Sequence, residues 1–325
     1  MPTAARGRMW SMRIVLGWVG AAVLLLGAIV GGVVAANATA FSASGFVRDY
    51  LDALADGRVD EVLALPGVDS AGLDARLLDP LALTAVDATV VDDTERGGVH
   101  RITVAFSASG ESARATLQVE RIGTRFGLFP EWGFAVSPIT ALSVATTGDG
   151  RLTVGRLPLD LGSGAPTVFA ALTPGVYTLT HRSEFLTATP VTIAASGGEA
   201  SVQLDIGPNA AFVAAAQSAM EAQLTSCTTQ QVLFPTGCPF GFAIENRVVS
   251  APRWTISQMP DATIAASDKL GLWAVPPADG VAHLSVEVQS LFDGSVTTLE
   301  KDVPFSAGYR IAFDGSTVVL DPALR

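Results

Sequence analysis

The feature that most constrains this chain is an uninterrupted apolar stretch, Ile14–Ala36, which contains 23 residues and no charged side chain. About 20 helical residues, rising 1.5 Å each, cross the hydrocarbon core of a bilayer. Three arginines precede the stretch, and no acidic residue occurs before Asp49. Because basic flanks stay on the cytoplasmic side, we predict a cytoplasmic tail at 1–13, a transmembrane helix at 14–36 and an extracytoplasmic body.

The same segment also fits a cleavable secretory signal. Ala36-Asn37-Ala38 and Ala38-Thr39-Ala40 are two small-x-small patterns of the kind that precede signal cleavage. The apolar core of a signal peptide usually runs about 7–15 residues, which is shorter than this stretch. We therefore predict an uncleaved single-pass anchor in the plasma membrane, with secretion after cleavage near Ala38–Ala40 as the alternative.

Two glycines of this segment, Gly27 and Gly31, have the GxxxG spacing through which membrane helices approach each other closely. Glycine is also generally frequent in membrane helices. The pattern marks Gly27 and Gly31 as candidate helix-packing positions and leaves the oligomeric state open.

The part of the chain beyond the apolar stretch is acidic. Without the three N-terminal arginines, 17 basic residues stand against 31 acidic ones, a net charge of −14. Nucleic-acid binding depends on neutralising phosphates with basic side chains, so a nucleic-acid partner is not expected. The partners we expect are membrane lipid, through the N-terminal helix, and an envelope protein or cell-wall component, through the body.

Cys227 and Cys238, the only cysteines of the chain, are predicted to form a disulfide. Thiols of an exported protein pair in the oxidising environment outside the cytoplasm. Two Cys without neighbouring His do not make a tetrahedral zinc site, and their spacing differs from the CxxC of redox catalysts. A loop of this size stabilises the folded state by about 2–3 kcal/mol.

Residues 41–137 have the pattern of helices followed by antiparallel strands. Apolar residues between Phe46 and Leu54 recur at helical spacing, and Asp56-Gly57 ends that helix. Between residues 100 and 120 the period changes to two, with apolar side chains on one side. One-sided alternation indicates an antiparallel sheet with one face on a core, which the helices can cover.

Several short segments of this region carry a family resemblance: Tyr50–Gly57, Val62–Leu65, Phe126–Leu128 and Trp132–Phe134. Together they resemble the opening and the last strands of extracytoplasmic NTF2-like proteins. The resemblance implies an α+β cone over residues 41–137, whose concave sheet often encloses a pocket.

The inward side chains of such a cone would supply the candidate pocket, for which we select Phe106, Leu117, Phe126 and Trp132. The simpler interpretation is that these apolar side chains pack under the helix as core.

Residues 138–207 have an all-β pattern. The run Leu172–Thr180, LTPGVYTLT, places a Pro-Gly turn directly before a strand, and alternating apolar residues continue to Ile206. This run resembles small surface modules of the PEGA or carboxypeptidase-regulatory type, which implies a small β-sandwich domain.

Residues 209–325 have the pattern of a helix, the cysteine loop and further strands. Asp314-Gly315 is a favoured tight turn between two alternating runs. Apolar residues at four-residue intervals predict the helix: Phe212, Ala216, Met220 and Leu224. We predict a disulfide-containing α+β domain, mostly antiparallel β, that repeats the plan of the first region as a remote duplication would.

The complete layout is a basic tail, one membrane helix and tandem small domains that end in NTF2-like folds. It is similar to the teicoplanin-resistance-associated envelope proteins of Gram-positive bacteria. Such proteins often begin with a cytoplasmic zinc ribbon, whereas no cysteine precedes Cys227 here. The predicted fold class is α+β, with a transmembrane helix, an NTF2-like domain, a small β-sandwich domain and a C-terminal helix-plus-antiparallel-sheet domain.

Catalytic and metal-binding patterns are sparse. His100, His181 and His283 each lie in a predicted strand, where a histidine is far more often inert than a general base. The densest acidic cluster, Asp92-Asp93-Thr94-Glu95, fits a solvated hairpin turn better than a Ca²⁺ site, which needs six or more oxygens in a shaped loop. No nucleophile elbow, Walker loop or dinucleotide-binding motif occurs in its required context.

These observations predict a non-enzymatic envelope protein with a binding or scaffolding role and without a catalytic residue, metal or cofactor. The alternative is an exported enzyme or small-ligand binder that uses the candidate pocket of the first region. That alternative predicts a cavity with a His or a carboxylate of perturbed pKa.

Overall fold

The computed structural model describes residues 7–70, 72–84, 86–108, 110–162, 165–314 and 317–322. Its α-helices are α1 (Gly7–Ala38), α2 (Ala43–Ala55), α3 (Val59–Leu63) and α4 (Ala210–Thr228). A short 3-10 helix occupies Ala75–Leu78, and the strands of the described residues form four sheets. The chain is therefore a mixed α+β protein with a predominance of β structure, as predicted.

Helix α1 contains the segment Val15–Ala38, which is long and apolar enough to span a membrane, with a mean hydropathy of 2.5. None of its most apolar window is buried against the rest of the protein, and it is the one such helix among the described residues. The predicted apolar helix at 14–36 is thus confirmed as a helix. It begins earlier than predicted, at Gly7, while residues 1–6 of the predicted tail lie outside the described ranges.

The first sheet is an antiparallel meander in the order β1-β2-β3-β4. Its strands are β1 (Asp87–Arg96), β2 (Val99–Ala108), β3 (Glu111–Arg125) and β4 (Phe129–Phe134). Helix α2 precedes it and begins where the Ser42 side chain accepts a hydrogen bond from the Gly45 amide. The chain turns after Ala55 at Gly57, whose φ of 70° favours glycine, so the predicted helix break is confirmed.

The acidic cluster lies in strand β1 and not in the predicted hairpin turn. Asp92, Asp93 and Glu95 belong to β1, and the turn to β2 consists of Gly97 and Gly98, both with positive φ. Aspartate is depleted in strands, which is why the sequence pattern favours a turn here. Pairing with the strongly alternating β2 overrides that local preference.

The middle region forms two four-stranded sheets, ordered β10-β12-β5-β8 and β11-β9-β6-β7. The strands are β5 (Ile139–Thr147), β6 (Arg151–Val154), β7 (Leu157–Asp160), β8 (Thr167–Leu172), β9 (Gly175–Thr180), β10 (Leu186–Ala188), β11 (Val191–Ala195) and β12 (Gly198–Pro208). Strand β8 ends and β9 begins around Thr173-Pro174, which confirms the predicted turn. Strand β12 pairs with β5 in parallel, a pairing that the alternation pattern does not specify.

The last region contains α4 and a six-stranded sheet in which β16 and β17 are the long central pair. Its strands are β13 (Arg247–Val248), β14 (Arg253–Gln258), β15 (Ala265–Ala266), β16 (Trp273–Gln289), β17 (Val296–Asp314) and β18 (Thr317–Pro322). The predicted terminal hairpin is present, since Asp314 pairs with Thr317. Its turn residues Gly315 and Ser316 lie outside the described residues.

Buried side chains group into separate clusters, one of which includes residues of two regions. One cluster joins the two middle sheets to α4 and the last sheet, and it includes Leu142, Leu179, Phe212 and Trp273. A second cluster packs α2 and α3 on the first sheet. Each fully buried apolar side chain contributes about 1.5–3 kcal/mol, so the shared cluster holds the middle and last regions together.

Candidate binding cleft

A cleft of about 570 Å³ lies between the middle and last regions. Clefts at such boundaries, with apolar walls and a few polar groups, are the usual place for ligands. The residues that line it are Asp149, Gly150, Arg151, Asp160, Gly162, Ser183, Glu184, Phe185, Leu186, Leu270, Gly271, Trp273 and Phe313.

One wall of the cleft is a tight turn that leads into β6. Gly148 has a φ of 76°, and a Cβ at this position would lie 2.1 Å from the carbonyl oxygen of Ile206, so only glycine fits. The carbonyl oxygen of Gly148 accepts a hydrogen bond of 2.8 Å from the Gly271 amide of the last region. The turn is therefore fixed by close packing on Ile206 of the middle region and by a hydrogen bond from the last region.

This turn places a buried carboxylate that holds an arginine. The side chain of Asp149 is 5% exposed. Its Oδ1 accepts hydrogen bonds from the backbone amide of Arg151 at 2.8 Å and from Nε at 3.0 Å, while Oδ2 accepts one from Nη2 at 2.7 Å. Such a bidentate pair fixes the orientation of the guanidinium. The Arg151 side chain is 66% exposed, so the remaining face of the guanidinium is open to the cleft.

The charges of the pair stabilise each other. Burial raises the pKa of Asp149, but the hydrogen bonds from Arg151 outweigh burial and hold the pKa of the carboxyl below its usual value. The hydrogen bonding of the Arg151 guanidinium to the Asp149 carboxylate also raises the pKa of Arg151. Asp160, opposite Arg151 in the β6–β7 pair, accepts a hydrogen bond from the Gly162 amide at 2.9 Å.

The opposite wall is aromatic. Phe185 and Phe313 stack with ring centroids 5.7 Å apart, and both contact Phe212 of α4. Trp273, at the start of β16, packs edge-on against Phe212 at 5.9 Å. These rings present an apolar surface beside the charged turn.

The arrangement favours recognition of a polar group that carries no negative charge, next to an apolar face. Three carboxylates line the cleft, those of Asp149, Asp160 and Glu184, against the single guanidinium of Arg151. Asp149 is already paired with Arg151, which leaves a local excess of negative charge. A cationic or neutral ligand is therefore favoured, and the aromatic wall can add a cation–π contact.

The predicted pocket of the first region takes a different form. Leu117 is buried and Trp132 partly buried in the cluster under α2. Phe106 packs in a smaller cluster with Val86, Ala115 and Val176, and it also lines a surface depression of about 430 Å³ with Asp87 and Arg114. Three of the selected residues therefore contribute to core packing.

Phe126 does not face inward, and that part of the prediction is wrong. The residue lies in the turn between β3 and β4 with a φ of 54°, and it is 85% exposed. The alternation of the preceding strand does not continue through this turn, because a bulge between Arg121 and Gly123 shifts the register.

The three histidines lie on strands or directly after them, and each already has hydrogen-bond partners. His181 is buried, and its Nδ1 donates to the Arg151 carbonyl oxygen at 2.7 Å. His100 Nδ1 lies 2.8 Å from Asp93 Oδ1, while Ser44 Oγ donates to Asp93 Oδ2.

His283 lies between two carboxylates of β17. Its Nδ1 is 2.7 Å from Asp302 Oδ1, and its Nε2 is 2.8 Å from Glu300 Oε2. The hydrogen bonds that the protonated ring donates to Asp302 and Glu300 raise the pKa of His283. No group of three or more His, Cys, Asp and Glu among the described residues could hold a metal ion.

The disulfide prediction is confirmed, since Cys227 and Cys238 are bonded. At Gly27 and Gly31 of α1, an added Cβ would have no atom within 4 Å, so this face of the helix is open. Helix association through these two glycines remains a prediction.

The sequence pattern missed the residues of the cleft. Gly148-Asp149-Gly150 is recognisable as a turn, but its partners Leu270, Trp273 and Phe313 are more than a hundred residues away in sequence. Only the three-dimensional packing brings them together.

Comparison with known proteins adds no further assignment: no protein-family model matches this chain, and no curated protein or solved structure is significantly similar to it.

Proposed function

We propose that this protein is a single-pass plasma-membrane protein, with its N-terminus in the cytoplasm and its body outside. In this proposal it has a non-catalytic binding or scaffolding role in the cell envelope. The observation that carries the proposal is the membrane-length helix α1, which leads after a few residues into a body with an extended, shared core. Such a construction presents recognition surfaces at a fixed distance from the bilayer.

Contacts at the end of α1 favour an uncleaved anchor over a cleaved signal. The Asn37 side-chain amide donates to the Leu128 carbonyl oxygen at 2.9 Å, and the Phe41 amide donates to the Ala36 carbonyl oxygen at 2.9 Å. Cleavage near Ala38–Ala40 would remove both contacts. A signal peptide has no need for such contacts with the mature protein.

The finer fold assignments belong to the same proposal. In the first region, α2 and α3 precede a four-stranded antiparallel sheet and cover one face of it, which supports an NTF2-like domain at 41–137. In the middle region, two four-stranded sheets contribute to one core, which supports a small β-sandwich at 138–207.

Within this function, the cleft between the middle and last regions is the proposed recognition surface. Its partner is a cationic or neutral polar segment with an apolar face, as the charges of Asp149, Asp160 and Glu184 and the ring of Phe313 require. Its volume of about 570 Å³ also suits a small ligand, which is the alternative occupant.

Site-specific photo-crosslinking in intact cells tests this proposal. A photoreactive residue is placed at Glu184 in the cleft and, as a control, at Glu221, an exposed position of α4 that does not line it. We expect a discrete adduct from position 184 alone. Asp160→Asn should reduce it, because this change removes one of the carboxylates that favour a cationic partner. Asp261→Asn, a change of an exposed carboxylate outside the cleft, should not.

The mass of the adduct then distinguishes a protein partner from a small molecule. The absence of an adduct at position 184, or equal adducts at both positions, would contradict the cleft as the recognition surface.

A further inference from the structure

The turn between β3 and β4 exposes an apolar tip beside the end of the membrane-length helix. Phe126 is 85% exposed and Leu128 55% exposed, and Gly127 between them has a φ of 70°. Isolated exposed apolar residues are common, so exposure alone does not indicate a contact surface. The position of the tip relative to α1 is the further evidence.

The tip is held against the last turn of α1 by specific contacts. The Leu128 carbonyl oxygen accepts a hydrogen bond from the Asn37 side-chain amide at 2.9 Å. One step further from the tip, the rings of Phe129 and Phe41 lie 4.4 Å apart between centroids. Further still, Trp132 Nε1 donates to the Phe41 carbonyl oxygen at 2.9 Å.

These contacts set the direction of the hairpin. Trp132, farther from the tip, contacts Phe41, which follows α1. Leu128, at the tip, contacts Asn37, which lies within the Val15–Ala38 span. The hairpin therefore points from the body toward the membrane-length helix. The two remaining residues of the tip, Gly127 and Phe126, lie beyond Leu128 along the same hairpin.

The length of the span places this contact at the membrane surface. Its 24 residues extend about 36 Å at 1.5 Å per residue, several ångströms more than the hydrocarbon core of about 30 Å. The last turn, with Asn37, therefore lies at the level of the headgroups.

We propose that the β3–β4 tip, residues 126–128, inserts into the headgroup region of the outer leaflet as a second membrane contact. The inference rests on the proposed anchoring of α1. Two apolar side chains at this depth bury their surface at the headgroup–acyl boundary, as interfacial anchors do. Arg125, next to the tip, is paired with Glu131, with 3.5 Å between Nε and Oε1, so the contact depends on the two apolar side chains. The contact fixes the tilt of the body relative to the bilayer.

Fluorescence of the full chain in phosphatidylcholine vesicles tests this inference. Because both native cysteines are in the disulfide, Phe126→Cys and Leu128→Cys each introduce one free thiol for an environment-sensitive NBD label. The control is Phe292→Cys, since Phe292 is 99% exposed in the connection between β16 and β17.

We expect NBD at positions 126 and 128 to emit at shorter wavelength than at 292. It should be quenched by lipids with a nitroxide near the headgroup and protected from aqueous iodide, whereas the label at 292 shows the opposite. Flotation of the vesicles reports insertion of α1 separately.

The outcomes separate the two proposals. Protein that floats with the vesicles while the labels at 126 and 128 behave like that at 292 overturns the hairpin contact alone. Protection from iodide without quenching by lipid means that protein covers the tip, and this also overturns it. Protein that does not float overturns the anchoring function and the hairpin contact together.

Discussion

The first and last regions share a helix-then-sheet plan, but they build their cores differently. In the first region every strand pairs with its neighbour in sequence, and α2 packs on that sheet in a cluster that is mostly local. In the last region three short strands, β13 to β15, all pair with β16. Helix α4 contacts β12 of the middle region as well as β14 and β18.

The difference shows that a pattern of elements does not determine which elements share a core. The buried face of α2 packs on the sheet of its own region. The buried face of α4, in contrast, packs against aromatic rings from both the middle and the last region. The strand orders also differ, so the suggested duplication remains a prediction. We expect the last and middle regions to unfold as one unit and the first region to respond more independently.

The largest effect is expected from Phe212→Ala in α4. Phe212 is fully buried and contacts the rings of Phe185, Trp273 and Phe313. Removing it should lower the free energy of unfolding by about 3–5 kcal/mol, because a cavity replaces the ring. Hydrogen exchange should accelerate in β5–β12 and in β16–β17, and much less in β1–β4.

A matched control for this variant is Val213→Ala, one residue along the same helix and 36% exposed, which should lower the free energy of unfolding by about 1 kcal/mol or less. Faster exchange confined to residues 209–325 after Phe212→Ala would contradict the shared core.

The next effect is expected from the double change Cys227→Ser and Cys238→Ser. Loss of the cross-link at the end of α4 relaxes a constraint on the unfolded chain, which should lower the free energy of unfolding by about 2–3 kcal/mol. Denaturant unfolding, with and without reductant, measures it. The wild type should respond to reductant and the variant should not; an unchanged midpoint in both would refute a stabilising disulfide.

A smaller effect is expected from Tyr50→Phe, which probes how the first region is joined to the middle one. The buried Tyr50 hydroxyl donates to the Thr173 carbonyl oxygen at 2.5 Å. Its removal leaves that acceptor unpaired and should cost about 1–2 kcal/mol, measured by urea denaturation.

The control for this change is Tyr309→Phe in β17, whose hydroxyl has no hydrogen-bond partner among the described residues and whose removal should be nearly neutral. An equal decrease in the free energy of unfolding for the two variants would show that the hydrogen bond from Tyr50 to Thr173 does not stabilise the protein.

The smallest effect concerns a feature that the first and the last sheet share, a histidine facing two carboxylates on the neighbouring strand. In the first sheet, His100 faces Asp93 and Glu95. In the last sheet, the hydrogen bonds that the protonated His283 ring donates to Asp302 and Glu300 raise its pKa. A raised folded pKa stabilises the protein fully below the unfolded value of about 6.5, and this stabilisation is lost as pH rises through the folded value.

An NMR titration of the His283 ring measures this pKa directly. In Asp302→Asn the titration midpoint should move toward the ordinary value, and the loss of stability with rising pH should become smaller. Because the pair is exposed, high salt should weaken the effect. A midpoint unchanged by Asp302→Asn would exclude the proposed cause.

Local patterns predict much of the fold. The four-residue spacing of Phe212 to Leu224 identifies α4, and the alternation of residues 100–120 identifies β2 and most of β3. Strand β1 escapes prediction because its aspartates disfavour strands locally, and its pairing with β2 is a tertiary effect.

The site is less predictable than the fold, for a physical reason. Asp149 and Arg151 are close in sequence, but the contact of this turn with Gly271 and Trp273 depends on how the middle and last regions pack. Phe126 fits an inward pattern only if the strand period continues through its turn. The positive φ of Phe126 turns its side chain away from the core, and the pattern of apolar residues does not reveal a positive φ.

The most direct test of the central claim is the topology of the full chain in intact cells. A membrane-impermeant maleimide is applied to Phe292→Cys, whose side chain is fully exposed, and the intact mass of the protein in the membrane fraction is measured. We predict labelling without lysis and a mass that includes α1. Labelling only after lysis, or a released chain that begins near Ala38–Ala40, would contradict a membrane-anchored extracytoplasmic body.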